Sequence, residues 1–578
     1  MDNLKPKFNP AGAFRPIAPT GGGNAHGTAR WMTPDEASRL QLWQYQPGSI
    51  ILGQNSKGDI ASLNHQGHVL VLAPPRTGKG IGFVQSNLAG YQGSMVVTDP
   101  KGENAAVSHY HRRERLGQNV VVLDPTAKLK SYGPGFDIPT HCFNPLSVFD
   151  HANYLEAVDD IERIADALLV IKDSDRDAHW RDGARMFLKA LLVFMVFFMP
   201  IEDRNLVKFA RLANGLELEH GDICLALVHN DHGDPTMRDV IAKSGAWWDK
   251  VNIKERGSFI SVALRSLSWL NSPVWHDHLS RSDFHPHDLK AGKTTVYIVS
   301  PFDKLEDYSP WFRLVLSSCV VAVLRAPNRS SIPTLFMLDE YAATIGRLAA
   351  LEHAIPYIEG TGGRFAMIFQ YLSQMQKLWP EPEYHGIFAS AGAHVFFNAN
   401  DKLTSEYVSS YMGKYGAPTP SGNGVSFVQR DLLTPDEVRT LPQGDLIAFV
   451  RGFRPAWLGK IDVRQHFRFK DLLLANPAYA VVQELPRALG TSATGGAPVL
   501  SAAEAIARAK QRQQAAPQVS VTMDGLLAAL KEKFPGKNMR FEGDLYGYDD
   551  VVFNHETGQR ETVFMPVLHS SMLTVLAS

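Results

Sequence analysis

Eight short runs of aliphatic and β-branched residues recur along the chain and constrain its fold more than any other feature. Each run is almost continuously apolar and is followed by a turn or a helical pattern. The runs occupy residues 68–73, 94–99, 119–124, 294–301, 333–340, 364–370, 394–399 and 445–450. Strands of this kind are buried on both faces, as in parallel sheets covered by helices. The pattern therefore predicts an α/β domain built on a mostly parallel sheet.

A long helical stretch separates the third run from the fourth. From residue 179 to 288 the apolar residues recur at helical spacing, and strand signals are almost absent. We predict an all-α domain inserted into the α/β domain. Its most apolar segment, 187–200, is shorter than the ~20 residues that a membrane span needs. It also contains Lys189 and ends at Pro200, so we expect a buried helix.

Composition excludes several classes of protein. The formal net charge is −1, so no global basic field attracts nucleic acid or anionic lipid; any DNA contact needs a local patch or a channel shared by subunits. The three cysteines are odd in number and far apart, which argues against a disulfide framework or a zinc site. The histidine pairs at 276/278 and 285/287 lack a third ligand at metal spacing, so solvated loop histidines are favoured.

The segment LAPPRTGKGIGF, residues 72–83, resembles a phosphate-binding loop with two departures. The usual pattern has glycine at the position of Ala73 and Ser or Thr at the position of Gly80. A strand precedes the loop and a helical pattern follows Lys79, which is the context that such a loop requires. The predicted nucleotide-binding residues are Pro75, Arg76, Thr77, Gly78, Lys79, Gly80 and Ile81. By itself the motif leaves a phosphate site and a glycine-rich turn equally open.

A second segment, PTLFMLDEY, favours the nucleotide site. It is an apolar strand that ends in Asp339 and Glu340, the form of a Walker B segment. We expect Asp339 to hold Mg²⁺ through water and Glu340 to polarise the attacking water. Gln370, at the end of another strand, is expected to sense the γ-phosphate or orient that water. Lys79, Glu340 and Gln370 are thus the predicted catalytic residues for hydrolysis of ATP with Mg²⁺.

Two further groups of residues have two interpretations each. Asp99, Lys101 and Glu103 follow the second strand, where a role beside the nucleotide and a structural turn are about equally favoured. The basic segment HYHRRER, residues 109–115, would suit a DNA path, but a solvated helix face is the favoured interpretation. The missing hydroxyl at Gly80 removes a direct Mg²⁺ ligand, and Thr77 lies too early in the loop to be assumed a substitute.

Several motifs together resemble the type IV secretion coupling proteins of the TraG-like branch, whose loop commonly reads APTRSGKGVG where this chain has APPRTGKGIG. The other matching segments are HGTARWMTPDEA, VVTDPKGEN, VVLDP, FNPLSVF, LDEYAATIGRLAALEHAI and FQYLSQMQKLW, in family order over roughly residues 25–470. The resemblance implies a RecA-like P-loop NTPase fold and a hexameric, ATP-driven pump. Its cargo would be single-stranded DNA with its relaxase, or protein effectors, passed to the inner-membrane components of a secretion channel.

The resemblance also bears on assembly and location. A ring ATPase is expected to use an arginine from a neighbouring subunit, and Arg347 and Arg364 are candidates because they lie near the Walker B strand. Family members usually begin with two membrane-spanning helices, whereas this chain begins about where their cytoplasmic part does. Either a truncated piece or a natural member without an anchor fits this start. We expect a cytoplasmic protein, or one held at the inner membrane through partners.

The predicted organisation has six parts. They are an N-terminal arm (1–45), the first part of the nucleotide-binding domain (46–178), the all-α insertion (179–288), the second part of the nucleotide-binding domain (289–475), a linker and helix (476–518) and a small C-terminal module (519–578). Two alternatives remain open: a cargo adaptor with a weak or regulatory ATP site, and a double-stranded-DNA ring ATPase of the FtsK/HerA type. The DPKGEN and FNPL segments favour the coupling branch over the latter.

Overall fold

A computed structural model describes residues 26–64, 67–133, 136, 138–150, 154–169, 178–326, 331–421, 424–479, 539–542, 545–554 and 559–569. The chain divides into two compact units, Met1–Val481 and Val482–Ser578. Residues 1–25 of the predicted arm lie outside the described residues, and so does most of the predicted linker and helix at 476–518. The proposed six-part division therefore stays a prediction.

Sixteen strands are present in the described residues. In the first unit they are β1 (Ile50–Gln54), β2 (Ile60–Leu63), β3 (His68–Leu72), β4 (Met95–Asp99), β5 (Asn119–Leu123), β6 (Thr294–Val299), β7 (Thr334–Leu338), β8 (Gly363–Phe369), β9 (Ala391–Phe397), β10 (Lys414–Ser421), β11 (Gly424–Asp431), β12 (Asp445–Val450) and β13 (Ala456–Gly459). In the second unit they are β14 (Met539–Glu542), β15 (Leu545–Asn554) and β16 (Gln559–His569), which form an antiparallel sheet.

The α-helices all lie in the first unit, as far as the chain is described. They are α1 (Pro34–Arg39), α2 (Gln85–Gly90), α3 (Glu103–Tyr110), α4 (Tyr154–Leu168), α5 (Ala178–Phe198), α6 (Leu206–Ala213), α7 (His220–Val228), α8 (Pro235–Gly245), α9 (Trp247–Lys250), α10 (Ile253–Ser266), α11 (Trp275–His278), α12 (Ser309–Arg325), α13 (Tyr341–Thr344), α14 (Ala349–Ala354), α15 (Ile358–Thr361), α16 (Leu372–Leu378), α17 (Glu383–Ser390), α18 (Lys402–Met412) and α19 (Pro435–Arg439). A one-turn segment at Gly80–Val84 leads directly into α2, and another at His111–Arg115 directly follows α3.

The main sheet has eleven strands in the order β2-β1-β13-β12-β9-β3-β8-β7-β4-β6-β5. From β9 to β5 every neighbouring pair is parallel, which confirms the predicted mostly parallel sheet. The parallel strands are interleaved: β3, β4 and β5 come first in the chain, yet none of them pairs with another of the three. Their neighbours are β6, β7, β8 and β9. The parallel core of the sheet is therefore completed only by the later strands.

The expectation that run 445–450 belongs to the parallel set is wrong. This run forms β12, which pairs antiparallel with β9 and with β13, the strand that follows it after a short connection. All of its residues are buried. A continuous apolar run indicates that a strand is buried on both faces, but it does not indicate the direction of the strand. For this reason the sequence pattern could not distinguish β12 from the parallel strands. The β1–β2 hairpin and β13 extend the same antiparallel end of the sheet.

Side chains of each central strand alternate between two cores. In β3, Leu70 and Leu72 face a core that contains Phe312 of α12, whereas Val69 and Val71 face a second core. Because both faces of the sheet are covered, the strands read as continuous apolar runs. The two cores hold the sheet rigid, and its carboxyl edge is free to carry polar groups.

All regular elements described between β5 and β6 are helical. The apolar segment 187–200 lies largely within α5, where Phe187, Leu188 and Leu192 are at most 1% exposed, so the predicted buried helix is confirmed. Within the described residues no helix combines the length and apolarity needed to cross a bilayer.

The interpretation of HYHRRER as a solvated helix face is wrong for its central residues. Arg112 is fully buried and donates hydrogen bonds to the backbone carbonyls of Leu88, Tyr91 and Gly93 and to the Thr295 hydroxyl. Burial lowers the pKa of Arg112 to about 10, which leaves it charged. Its guanidinium therefore stabilises the turn after α2 and is not available to DNA. Sequence gave no sign of this, because basic residues are rarely buried unless paired.

Candidate nucleotide site

Strand order brings the predicted site residues together. The strands β3, β8, β7 and β4 are neighbours in the sheet and run parallel, so their carboxyl ends share one edge. Lys79 follows β3, Gln370 follows β8, and Asp339 with Glu340 follows β7. The carboxyl edge of an open α/β sheet is the usual place for a ligand site. The fold thus gathers residues that lie up to about 290 positions apart in the chain, because the strands that precede them are neighbours in the sheet.

The loop after β3 has the backbone geometry of a tight phosphate cradle. Arg76 and Gly78 have φ values of 62° and 87°, in the left-handed region, where glycine is unstrained and arginine is not. A Cβ added at Gly78 or Gly80 would meet no atom within 4 Å, so this side of the loop is open. The Thr77 hydroxyl donates to the Pro74 carbonyl at 2.7 Å and is buried within the loop. In this conformation Thr77 does not replace the missing hydroxyl at Gly80.

Lys79 joins the loop to the acidic end of β7. Its Nζ lies 2.5 Å from Glu340 Oε1 and 3.2 Å from Asp339 Oδ1. Burial lowers the pKa of Lys79, but the two carboxylates outweigh burial and raise it overall. For Asp339 burial is the larger effect: it raises the pKa of the carboxyl, although the nearby Lys79 ammonium acts to lower it. One ammonium therefore holds two partly buried carboxylates close together.

Gln370 contacts the other oxygen of Glu340. Its Nε2 donates to Glu340 Oε2 at 2.6 Å, so both carboxylate oxygens of Glu340 are hydrogen-bonded. The backbone N–H of Gln370 donates to Gln374 Oε1 at 2.9 Å, which fixes the residue at the start of α16. The predicted proximity of Lys79, Glu340 and Gln370 is thus present, with Glu340 at its centre.

A strained backbone aims Glu340 at the loop. Its φ of 51° is unusual for a residue with a side chain and costs on the order of 1 kcal/mol or more. The Thr344 hydroxyl is within hydrogen-bonding distance of the Asp339 and Glu340 carbonyls, and the Thr98 hydroxyl of β4 donates to the Asp339 carbonyl at 2.8 Å. The hydroxyls of Thr98 and Thr344 therefore stabilise a backbone conformation that residues other than glycine rarely adopt. Thr98 and Thr344 were not identified from sequence.

The residues after β4 lie beside the acidic pair with different exposures. Asp99 is buried, accepts a hydrogen bond from the Ala105 N–H, and has its pKa raised to about 7 by burial. Lys101 is exposed, and Glu103 accepts a hydrogen bond from Asn476 Nδ2 at 2.8 Å. Asp339 lies close enough to Asp99 to contribute to the raised pKa of that carboxyl. A direct nucleotide role for Lys101 and Glu103 stays a prediction.

The two candidate trans arginines differ sharply. Arg364 is 2% exposed and donates to the backbone carbonyls of Gly67, Gly48 and Leu63. It ties β8 to neighbouring segments and cannot reach another subunit, so its nomination is wrong. Arg347 is exposed and pairs with Glu352 and Glu383, each at 3.2 Å.

A divalent metal fits this site only together with a phosphate ligand. Within the described residues no group of three or more His, Cys, Asp or Glu is placed to hold a metal. Asp339 and Glu340 provide carboxylate oxygens at one point of the edge, next to the loop. Mg²⁺ is commonly held by one or two carboxylates, waters and substrate phosphates. The residues present therefore fit a magnesium–nucleotide complex better than a metal bound by protein alone.

A residue that sequence reasoning missed reaches the loop from the other side. Lys460, just after β13, donates from Nζ to the Thr77 carbonyl at 2.9 Å, to Asn398 Oδ1 at 2.6 Å and to the Gln443 carbonyl at 2.7 Å. Nothing in the sequence around GKID resembles a nucleotide motif. Only the antiparallel end of the sheet places this lysine near the loop.

Comparison with known proteins assigns the family. The family described as "Type IV secretory system Conjugative DNA transfer" matches residues 30–486. The chain belongs to this family. The match covers most of the chain and includes the loop, the acidic pair and Gln370, so the resemblance seen in the motifs is confirmed.

Relatives of this conjugative DNA-transfer protein include VirD4 of Agrobacterium fabrum, 29% identical over 79% of this chain and 70% of VirD4. The conjugal transfer protein TraG of Escherichia coli is 25% identical over 77% of each chain. Among solved structures, the bacterial conjugative coupling protein TrwB in its unbound form matches with a TM-score of 0.55 at 16% identity, covering 75% of this chain and 93% of TrwB. This likeness shows that the chain shares the fold of TrwB, in agreement with the predicted α/β fold on a mostly parallel sheet.

Proposed function

We propose that this conjugative DNA-transfer protein is an ATP-driven coupling protein of a type IV secretion system. It recruits single-stranded DNA with its relaxase, protein effectors, or both, and passes them to the secretion channel. The observation that carries the proposal is the contact of Lys79 with Glu340 at the end of β7, with Gln370 on the second oxygen of the same carboxylate. A phosphate loop, a carboxylate and a polar side chain that meet in this way have the parts needed for hydrolysis.

The contacts suggest how the site would work on ATP. Bound phosphates would compete with Glu340 for the Lys79 ammonium, because both are anionic and the ammonium has three donors. Glu340 would then accept a proton from water, while Gln370 would keep its carboxylate oriented. Mg²⁺, held by Asp339 and the phosphates, would supply charge neutralisation on the phosphate oxygens.

We propose that the active form is a ring in which a neighbouring subunit completes each nucleotide site. With Arg364 buried, Arg347 is the remaining candidate for a cation supplied to a neighbour. Of its partners, Glu383 is exposed and Glu352 is partly buried, and a neighbour's phosphates would compete with both for the Arg347 guanidinium. We infer a hexamer, as the family resemblance implies.

The partners and location are inferred in the same way. The relatives VirD4 and TraG are named for type IV secretion and conjugal transfer, and we extend that role to this chain. Its net charge of −1 gives one subunit little attraction for DNA, whereas a ring channel would sum several weak phosphate contacts. We propose that the protein works at the cytoplasmic face of the inner membrane and contacts the membrane through secretion partners.

The second candidate is a cargo adaptor with a weak ATP site. Gly80 lacks a hydroxyl, and the Thr77 hydroxyl is turned to the Pro74 carbonyl, so Mg²⁺ has one protein ligand fewer than in the usual loop. The third candidate, a double-stranded-DNA ring ATPase outside secretion, is disfavoured by the match to the conjugative family.

The decisive experiment measures ATP turnover per subunit against protein concentration, with and without single-stranded DNA, alongside mass in solution. We expect turnover and assembly to rise together, DNA to increase both, and added salt to reverse the gain as counterion release weakens. The matched control is Glu340→Gln, which should assemble without turnover. Turnover that ignores both concentration and DNA would favour the adaptor.

A further inference from the structure

The ammonium of Lys460 connects three segments of the main unit. An ammonium has three N–H donors, and here they go to the Thr77 carbonyl, the Asn398 side chain and the Gln443 carbonyl. The three acceptors belong to the phosphate loop, the residue after β9, and the turn before β12. All three are neutral. Lys460 therefore uses its whole donor capacity to hold the loop against the antiparallel end of the sheet.

The bond to Thr77 orients a peptide group of the loop. In a trans peptide the carbonyl of one residue and the N–H of the next point in opposite directions. Because the Thr77 carbonyl points to Lys460, the Gly78 N–H points away from it. No acceptor for this N–H is found in the part of the chain that the structure describes. An unpaired backbone donor in a phosphate loop is the group that binds a phosphate oxygen.

The charge of Lys460 is not neutralised by an ion pair. Among the described residues no carboxylate lies within ion-pair distance of the Lys460 ammonium. Asp445 of β12 acts on Lys460 only from farther away, and its carboxylate accepts a hydrogen bond from Trp457 Nε1. The Phe397 ring lies 5.0 Å from Nζ. Burial lowers the pKa of Lys460 to about 8, against the smaller opposing effect of Asp445. A positive charge thus stands next to the loop, on the β9 side of β3, whereas Lys79 faces β7.

We propose that Lys460 is a positioning residue of the nucleotide site, which aims the Gly78 N–H at the phosphates through the Thr77 carbonyl and adds positive charge behind the loop. This inference rests on the proposed function. It assigns a role in phosphate binding to the strand β13, which carries no nucleotide motif.

The test is the affinity for ADP, measured by calorimetry on the full chain at several pH values from 7.5 to 9.5. Lys460→Met removes the charge and the donors but keeps the length, and we expect ADP to bind about tenfold more weakly at pH 7.5. Lys402→Met, at an exposed position on α18, is the matched control and should bind like the unchanged protein.

The pH profile separates positioning from a merely structural role. In the unchanged protein ADP affinity should fall as pH rises through about 8, because Lys460 loses its proton. The ADP phosphates are ionised over this range, and Lys79 keeps its proton because its pKa is raised. Asp99, with a pKa of about 7, completes its ionisation at the lower end of the range and contributes the same small fall in affinity to every variant, and Asp445 is present in every variant. The fall in affinity with pH should therefore be smaller in Lys460→Met than in the unchanged protein. Lys460→Arg keeps its charge at every pH, so its affinity should persist at pH 9.5.

The outcomes distinguish two failures. ADP binding by the unchanged protein, with the same affinity and pH profile in Lys460→Met, would overturn the role of Lys460 alone. No ADP binding by the unchanged protein would overturn the proposed function and this inference with it. If Lys460→Met does not fold, Lys460→Arg decides: a fall in affinity parallel to that of the unchanged protein would overturn the role of charge at this position.

Discussion

Replacing Glu340 by glutamine changes one oxygen to an NH₂ group and removes one charge. In the structure the two carboxylate oxygens accept from Lys79 at 2.5 Å and from Gln370 at 2.6 Å. A glutamine has a single acceptor oxygen, so one of the two donors would face the new NH₂ group. The loss of one charge-assisted hydrogen bond costs about 1.5–3 kcal/mol of unfolding free energy.

The effect on catalysis should be larger than the effect on the fold. Loss of a general base lowers turnover by about 10²–10⁴-fold. ATP affinity should be kept or should increase, because Lys79 is no longer held by the Glu340 charge and is free for the phosphates. The variant should therefore bind ATP and fail to hydrolyse it.

The assay compares steady-state turnover at saturating ATP with ATP affinity from calorimetry. Glu406→Gln, on the exposed face of α18, is a control for removal of a carboxylate far from the loop. A parallel fall of affinity and turnover in Glu340→Gln would refute the reasoning, since it would make Glu340 a structural partner of Lys79. Unchanged turnover would refute it as well.

Three more changes test the other assignments. Lys79→Ala should lower turnover by at least about 10²-fold and weaken ATP binding, measured by the same two assays, because the loop loses its cation and the acidic pair its partner. Arg364→Ala should lower the free energy of unfolding, measured by chemical denaturation, by about 3 kcal/mol or more, because it leaves buried carbonyls unpaired. Arg347→Ala should change the free energy of unfolding by less than about 0.5 kcal/mol but lower turnover about 10³-fold. Asp99→Asn should alter the pH dependence of the free energy of unfolding. The pKa of Asp99 is about 7 in the folded protein and lower in the unfolded chain, so the unchanged protein loses stability as pH rises towards 7. Between pH 5 and 7 the variant should therefore gain about 2 kcal/mol in free energy of unfolding relative to the unchanged chain, measured by chemical denaturation at each pH.

Sequence predicted the parts of the site better than their arrangement. The loop and the acidic strand end could be identified because strand, turn and helix signals adjoin them, and the apolar runs located eight of the sixteen described strands. Strand order could not be deduced, because pairing depends on contacts between residues far apart in the chain. For this reason the contact of Gln370 with Glu340 and the approach of Lys460 were visible only in the fold.

Two of the misassignments have a common physical cause. Arg112 was interpreted as part of a solvated helix face and Arg364 as a cation for a neighbouring subunit, yet each satisfies several backbone carbonyls inside the protein. A buried arginine of this kind is specified by the carbonyls around it, and those come from distant segments. The local sequence has no trace of them.

Interleaving of the parallel strands has a consequence for synthesis on the ribosome. Since β3, β4 and β5 do not pair with one another, the first half of the chain emerges with no partner for any of them. Their edges stay unpaired until β6, β7, β8 and β9 have been made, and unpaired strand edges are prone to aggregation during that interval. It also means that a chain cut between α11 and β6 would yield two fragments, neither of which contains all the strands needed to complete the parallel sheet.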